Sequence, residues 1–134
     1  ENMQPPRNTI PFLKRCILKL NRKFLHWPLL FYYNDKYFAP ELCWKKQNAF
    51  PTVIPNWDHT PRSGKRGSVM IGSSPEKFQQ TMHMMIERLQ TKAYENRFLF
   101  VKSWNEWGEG NYIEPDTQYG YKWLEAIQKE VYKK

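Results

Sequence analysis

Cysteine is nearly missing from this 134-residue chain: only Cys16 and Cys43 occur. They form no CxxC pair and have no histidines at ligand spacing, which excludes the common structural zinc patterns. One disulfide stays open. Two reduced thiols in a cytosolic protein are the stronger expectation, because free Cys behaves as a small buried hydrophobe. Also missing is any run of about 18 apolar residues, so no transmembrane helix is predicted. The start, Glu1-Asn2-Met3-Gln4-Pro5-Pro6, has neither the charged opening nor the apolar stretch of a signal peptide. It does not open with Met, and the chain is expected to begin inside a longer protein.

Aromatic residues, by contrast, are plentiful: six Trp, eight Tyr and eight Phe. Trp and Tyr suit half-wet sites and the stacking of sugar rings, although most rings in a domain fill its core. The length fits one domain with a core of its own. The net charge of +8 is uneven. Residues 1–50 hold nine Lys/Arg against three Asp/Glu, and residues 51–134 hold twelve against ten. A basic excess attracts nucleic acid, anionic lipid or phosphorylated substrates. The absence of RNP-like, zinc-finger and KH patterns sets nucleic acid aside as a partner.

Residues 1–8 are polar and Pro-containing, and read as a loop. Ile10, Leu13, Ile17, Leu20 and Phe24 then recur at near-helical spacing among Lys14, Arg15, Lys19, Arg22 and Lys23. This predicts a basic amphipathic helix, either a plain surface helix or one that meets a membrane surface or a partner. Leu29–Tyr33 is a candidate strand, Pro40 starts a short helix to about Lys46, and Phe50–Pro55 reads as a buried strand. Trp57 to Gly72 reads as one long loop. Ser74 caps a helix with Pro75 at its first position and Phe78, Met82, Met85, Ile86 and Leu89 as its apolar stripe, ending near Ala93. Phe98–Val101 reads as a strand buried on both faces. Tyr119, Trp123, Ile127 and Val131 mark a last helix. Alternating strands and helices argue for βαβ units and a parallel sheet.

Two loops carry the candidate chemistry. After Phe98–Val101 come Lys102-Ser103-Trp104-Asn105-Glu106-Trp107-Gly108-Glu109-Gly110, then Tyr112, Glu114 and Asp116. In parallel α/β folds, catalytic groups sit at the C-terminal ends of strands, where Glu106 and Glu109 stand. Gly108 and Gly110 let the backbone turn so that both carboxylates can face one cavity. A carboxyl pair is the usual equipment for glycosidic chemistry, one member donating a proton and the other acting as base or nucleophile. Trp104 and Trp107 offer apolar walls, and Asn105 can bond a sugar hydroxyl or orient Glu106. A merely solvated acidic loop is the plain alternative. The other loop, Asn56-Trp57-Asp58-His59-Thr60-Pro61-Arg62, opens on the same face of the sheet. Asp58 and Arg62 are candidates to pair or to bind substrate, and His59 alone is a weak signal. Arg62 with Lys65 and Arg66 could receive a phosphate, as of a nucleotide- or lipid-linked sugar.

The stretches PTVIPNWDHTPRSG and FLFVKSWNEWGEGNYIEPDTQYGYKWLEAI resemble the C-terminal part of WbsX-like proteins. These are called glycosyltransferase WbsX or lipopolysaccharide biosynthesis proteins and are grouped with glycoside hydrolase family 99-like domains. The resemblance covers residues 50–128 well and residues 1–49 loosely. It implies an α/β fold, the last two or three β/α units of a TIM-type (β/α)8 barrel, since a whole barrel needs about 250 residues. On that reading residues 1–134 are one partial domain: a basic helical segment and connecting strand over 1–49, and two β/α units over 50–134.

The resemblance also implies a retaining mechanism through a 1,2-anhydro sugar. Glu106 would be the base toward the sugar 2-hydroxyl and Glu109 the general acid/base. Trp57, Asp58, Arg62, Trp104, Asn105 and Tyr112 would line the site. His59 stands where these proteins often have Asn, and Gly108 where Ala is common. The expectation is a cytoplasmic, membrane-peripheral protein acting on oligo- or polysaccharide, with no metal and no cofactor. The isolated 134 residues are expected to be inactive and to expose strand edges. The competing expectation is a carbohydrate-binding module that does no chemistry.

Overall fold

The computed structural model describes residues 16, 17, 19–21, 24, 27–33 and 44–132. The predicted loop at 1–8, the first turns of the basic helix, Pro40 and Cys43 lie outside them. Cys16, Ile17, Lys19 and Leu20 are helical, and Cys16 is a free thiol.

The frame is a βαβ unit. Strand β2 (Thr52–Val53) lies parallel to β4 (Phe100–Val101), with Thr52 opposite Phe100 and Val53 opposite Val101. Flanking backbone bonds lengthen the pairing: Phe100 N–H donates to Pro51 O at 3.0 Å and Lys102 N–H to Val53 O at 3.0 Å. Parallel strands need a long crossover, and here it contains helix α2 (Pro75–Leu89). Ser74 caps α2 by accepting from the Lys77 N–H at 3.3 Å, with Pro75 next, as its sequence predicts. Helix α3 (Lys122–Val131) follows the loop after β4 and packs on α2. Phe78, Met82 and Met85 of α2, Trp123 and Ala126 of α3, and Val53 and Ile54 at β2 form one buried core. Trp123 meets Phe78 and Tyr119 edge-on, at centroid distances of 5.6 and 5.3 Å. Buried Glu130 ties the helices together, accepting from Gln79 Nε2 at 2.9 Å and lying 3.0 Å from His83 Nδ1.

Three expectations need correcting. The α2 helix ends at Leu89, short of Ala93. Arg97 folds back there, its Nε 3.0 Å from Lys92 O and its Nη2 3.2 Å from Gln90 O, and takes up the carbonyls of the turn. Trp57 to Gly72 is not a plain loop. It holds a four-residue helix α1 (Thr60–Ser63), a 3-10 turn (Gly64–Arg66) and strand β3 (Ser68–Ile71). β3 runs parallel to β1 (Leu29–Tyr32), with Leu29 opposite Ser68 and Tyr32 opposite Ile71. Finally, Phe98–Val101 is not buried on both faces. Phe98 and Phe100 are each 54% exposed, with only Phe50 edge-on beside them, because no second layer covers that side among the described residues. A groove of about 270 Å³ also opens between β4 and the helices, lined by Met82, Ile86, Leu89, Leu99, Val101 and Ile127 among others.

Candidate functional site

The loops that leave the C-terminal ends of β2 and β4 meet. Asp58 N–H donates to Glu109 O at 2.7 Å, and Tyr112 N–H to the Asn56 side chain at 3.3 Å. The first loop also runs against β3, with Met70 N–H donating to Trp57 O at 2.8 Å and His59 N–H to Ser68 O at 2.9 Å. Gly67 makes that approach possible, since a Cβ there would lie 2.8 Å from Thr60 N.

The second loop is a small antiparallel pair, β5 (Asn105–Glu106) with β6 (Asn111–Tyr112), joined by the 3-10 turn Trp107–Glu109 and left-handed Gly110. Its scaffold is Asn111, fully buried: the Asn111 side chain accepts from Ser103 N–H at 2.7 Å, and its carbonyl accepts from Ser103 Oγ at 2.7 Å. Ser103 Oγ also accepts from the Glu106 N–H at 3.2 Å. Trp104 O accepts from Ile113 N–H at 2.9 Å and Glu114 N–H at 3.2 Å.

One guanidinium joins the two carboxylates. Arg62 Nη2 donates to Glu106 Oε1 in a short contact, and Arg62 Nη1 lies 3.4 Å from Glu109 Oε1. The environments of the acids differ. The Glu106 side chain is 39% exposed and pairs with Arg62. Glu109 is 15% exposed and sits among three nitrogens: Arg62 Nη1, His59 Nε2 at 3.8 Å and Lys102 Nζ at 3.8 Å. At 3.8 Å the His59 and Lys102 nitrogens stand too far from Glu109 for tight hydrogen bonds.

The aromatic residues divide as well. Trp57 is buried, donates Nε1–H to Ser68 Oγ at 3.0 Å, stacks on His59 and carries the Lys102 ammonium 4.9 Å from its ring centre. Trp104 and Trp107 are about half exposed. Trp107 stacks on Tyr112 at 3.7 Å and donates to Glu114 at 2.6 Å. Burial, and then the nearby Asp116 carboxylate, push the Tyr112 phenol above its ordinary value of 10.0. Asn105 is exposed on β5, opposite Tyr112.

Asp58 does not pair with Arg62, as one of its two sequence readings proposed. Its Oδ1 accepts from Thr60 N–H at 2.8 Å and Thr60 Oγ1 at 2.6 Å, an Asx-type turn that starts α1. That turn carries Arg62 across to the carboxylates. Sequence reasoning passed over Lys102 and discounted His59. The usable signal for Lys102 was its place as the first residue beyond β4. His59 offered none, because its role depends on α1 turning its ring, held by Ser63 Oγ at 2.9 Å, toward Glu109. No group of three or more His, Cys, Asp and Glu able to hold a metal gathers among the described residues. No helix among them is long and apolar enough to cross a membrane.

Against known proteins, the family model described as Glycosyltransferase WbsX matches residues 14–127. Two curated relatives, each named Uncharacterized protein WxcX, come from Xanthomonas campestris pv. campestris strains B100 and ATCC 33913. Each is 35% identical over 83 residues, which is 61% of this chain and 12% of the relative's own length. No solved structure matches.

Proposed function

Because the chain belongs to the glycosyltransferase WbsX family, whose function is glycosyltransferase-like or polysaccharide-related, we propose that it forms the last β/α units of a carbohydrate-active (β/α)8 barrel. The β2–α2–β4–α3 order supports this reading, with both site loops at the C-terminal ends of a parallel pair. So do the open apolar groove beside β4 and the half-exposed Phe98 and Phe100, which further strands would cover. The matched stretch is 12% of the relatives' own length, so the activity proposed here is that of the whole protein.

The carrying observation is the convergence of Glu106 and Glu109 on Arg62. In the proposed reaction Glu106 removes the proton of a sugar 2-hydroxyl as that oxygen attacks C1. Glu109 protonates the departing oxygen, then takes a proton from the acceptor hydroxyl or water that reopens the ring, while Glu106 returns its proton to O2. Arg62 must swing aside as the sugar enters, and Lys65 and Arg66, exposed beside it, meet the phosphate of a nucleotide- or lipid-linked donor. The exposed rings of Trp104 and Trp107 offer stacking faces for a polysaccharide such as lipopolysaccharide O-antigen.

The occupation of both carboxylates by Arg62 favours a second reading, a sugar-binding module without turnover. Glu106→Gln and Glu109→Gln in the full-length protein separate the two, assayed for cleavage or transfer on a panel of oligosaccharides of varied sugar and linkage. The enzyme reading expects each change to lower turnover by about a hundredfold or more while binding persists. Turnover unchanged by either substitution sinks it; binding with no turnover even in the unaltered protein selects the module.

A further inference from the structure

We infer that His59 is a positioning residue for Glu109: it takes the place of Arg62 at Glu109 Oε1 and passes that oxygen its proton. The role rests on the enzyme reading above, and it supplies the step by which Glu109 comes to hold the proton it donates. Arg62 Nη1 and His59 Nε2 face the same oxygen, Oε1, at 3.4 and 3.8 Å, while Lys102 Nζ faces Oε2 at 3.8 Å. A guanidinium and an ammonium carry donors and no acceptor, so a carboxyl oxygen facing either one can only accept. An imidazole both donates and accepts, and it is the side chain that changes charge between about pH 5 and 8. Of these three side chains, His59 alone can give Oε1 a proton or accept a hydrogen bond from it once it is protonated.

The His59 ring is held in place. Its Nδ1 lies 2.9 Å from Ser63 Oγ, its plane is 12° from that of Trp57, and its backbone N–H donates to Ser68 O at 2.9 Å. Ser63 occupies Nδ1 and leaves Nε2 as the nitrogen aimed at Glu109. The Glu109 backbone is pinned as well, its carbonyl accepting from Asp58 N–H at 2.7 Å. Only the Glu109 side chain must travel, by about 1 Å, to bring Oε1 within hydrogen-bond reach of Nε2. Arg62, about half exposed, opens that path when it swings aside. In the step itself the Nε2–H bond of the imidazolium breaks and its electron pair stays on Nε2. The proton forms Oε1–H, and Nδ1–H remains with Ser63 Oγ. The ring is 31% exposed, so water restores its proton. The other charged groups nearby are Lys102 at the end of β4, Glu106 of β5 held by Arg62, and Asp58 held by Thr60. All of them remain in a His59 variant, so a changed pH profile there belongs to the imidazole.

The test is the pH profile of kcat/KM for the full-length protein on the oligosaccharide panel. The proton shared by His59 and Glu109 leaves at the alkaline limb of that profile. His59→Gln keeps an amide near the Nε2 position but cannot carry the proton. It should move the alkaline limb down by about one pH unit, a roughly tenfold loss of kcat/KM on that limb that shrinks as pH falls, with KM changed less than about twofold. Ser63→Ala keeps the imidazole but frees it, and should move the limb the same way by a smaller step. Lys122→Gln on α3 is the control and should move nothing. Nitrogen NMR of the 134-residue chain gives a readout independent of turnover: with Arg62→Gln in place, the His59 Nε2 resonance should respond to Glu109→Gln. An alkaline limb unmoved by His59→Gln and Ser63→Ala, while turnover still needs Glu109, overturns the inference and leaves the enzyme reading standing. Loss by one factor at every pH marks a structural role and also overturns it. So does a His59 resonance that ignores Glu109→Gln. Turnover that is absent, or indifferent to Glu109→Gln, removes the enzyme reading and the His59 role together.

Discussion

The helix layer and the strand-end loops are built on different physics. In the helix layer Phe78 and Trp123 are fully buried, and α2 and α3 close over Met82, Met85 and Ala126. Burial of apolar area drives that assembly and tolerates no large loss of volume. At the strand ends Trp104 and Trp107 stand half exposed, and geometry comes from directional bonds: Ser103 with Asn111, Asp58 N–H with Glu109 O, Arg62 with Glu106. Such bonds add little net stability each but fix positions closely. Stability therefore resides in the helices, and the orientation of the acids resides in the loops.

The sharpest way to break that division is to truncate one indole in each layer. Trp123→Ala should cost about 3–5 kcal/mol, because it empties the centre of a closed core. Trp104→Ala should stay within about 0.5 kcal/mol. Trp123→Phe should fall well below the alanine value, since the buried Trp123 indole N–H has no acceptor among the described residues. Urea denaturation of the chain measures all three. A Trp104→Ala loss as large as that of Trp123→Ala would show that the loops carry the fold.

A second test contrasts two glycines two positions apart. Gly110 has φ +53°, and a Cβ there would lie 2.9 Å from the Asp58 Cβ and 3.0 Å from the Asp58 nitrogen. Gly110→Ala therefore strains the backbone and forces the two loops apart, at a cost of about 1–3 kcal/mol. A Cβ on Gly108 would meet only the Arg62 side chain, with Nε at 3.0 Å. Gly108→Ala should change stability by about 0.5 kcal/mol or less, yet shift the Arg62 Nε–H resonance as the guanidinium yields. Equal destabilisation by both would mean that Arg62 cannot move, and the proposed entry of a sugar past it would fail.

The same division explains what the sequence could reveal. The Ser74–Pro75 start of α2 and its stripe of Phe78, Met82, Met85 and Leu89 are local signals, and the structure forms that helix. The strand at Thr52–Val53 and the helix carrying Trp123 were legible for the same reason. β3 was hidden because Ser-Val-Met-Ile, pinned between Gly67 and Gly72, is short and gains strand character only from its partner β1. Glu106 and Glu109 stood out as a pair in one loop. Arg62 was legible as a site residue, but its pairing with both acids, 44 and 47 residues away, was not, and neither was Lys102 over Trp57. Contacts between distant segments depend on how the turns re-aim side chains, and one-dimensional spacing does not record that.

The smallest expected effect lies where the two layers' logics meet, at Tyr112. Its ring lies flat under Trp107, and its phenol is raised above 10.0 first by burial and then by the Asp116 carboxylate. The folded chain therefore favours the protonated phenol. That contribution is whole below the unfolded value of 10.0 and is lost as pH rises through the folded value. Tyr112→Phe should remove this part of the alkaline loss of stability. Ultraviolet difference titration against Tyr112→Phe isolates the one phenol among eight tyrosines. Trp107→Ala uncovers the ring and should bring its titration back toward 10.0, while Trp107→Phe should hold it higher. A titration that stays raised in Trp107→Ala and falls in Asp116→Asn would assign the shift to charge. The Trp107 stack would then be a surface contact, not part of the wall that keeps this phenol protonated.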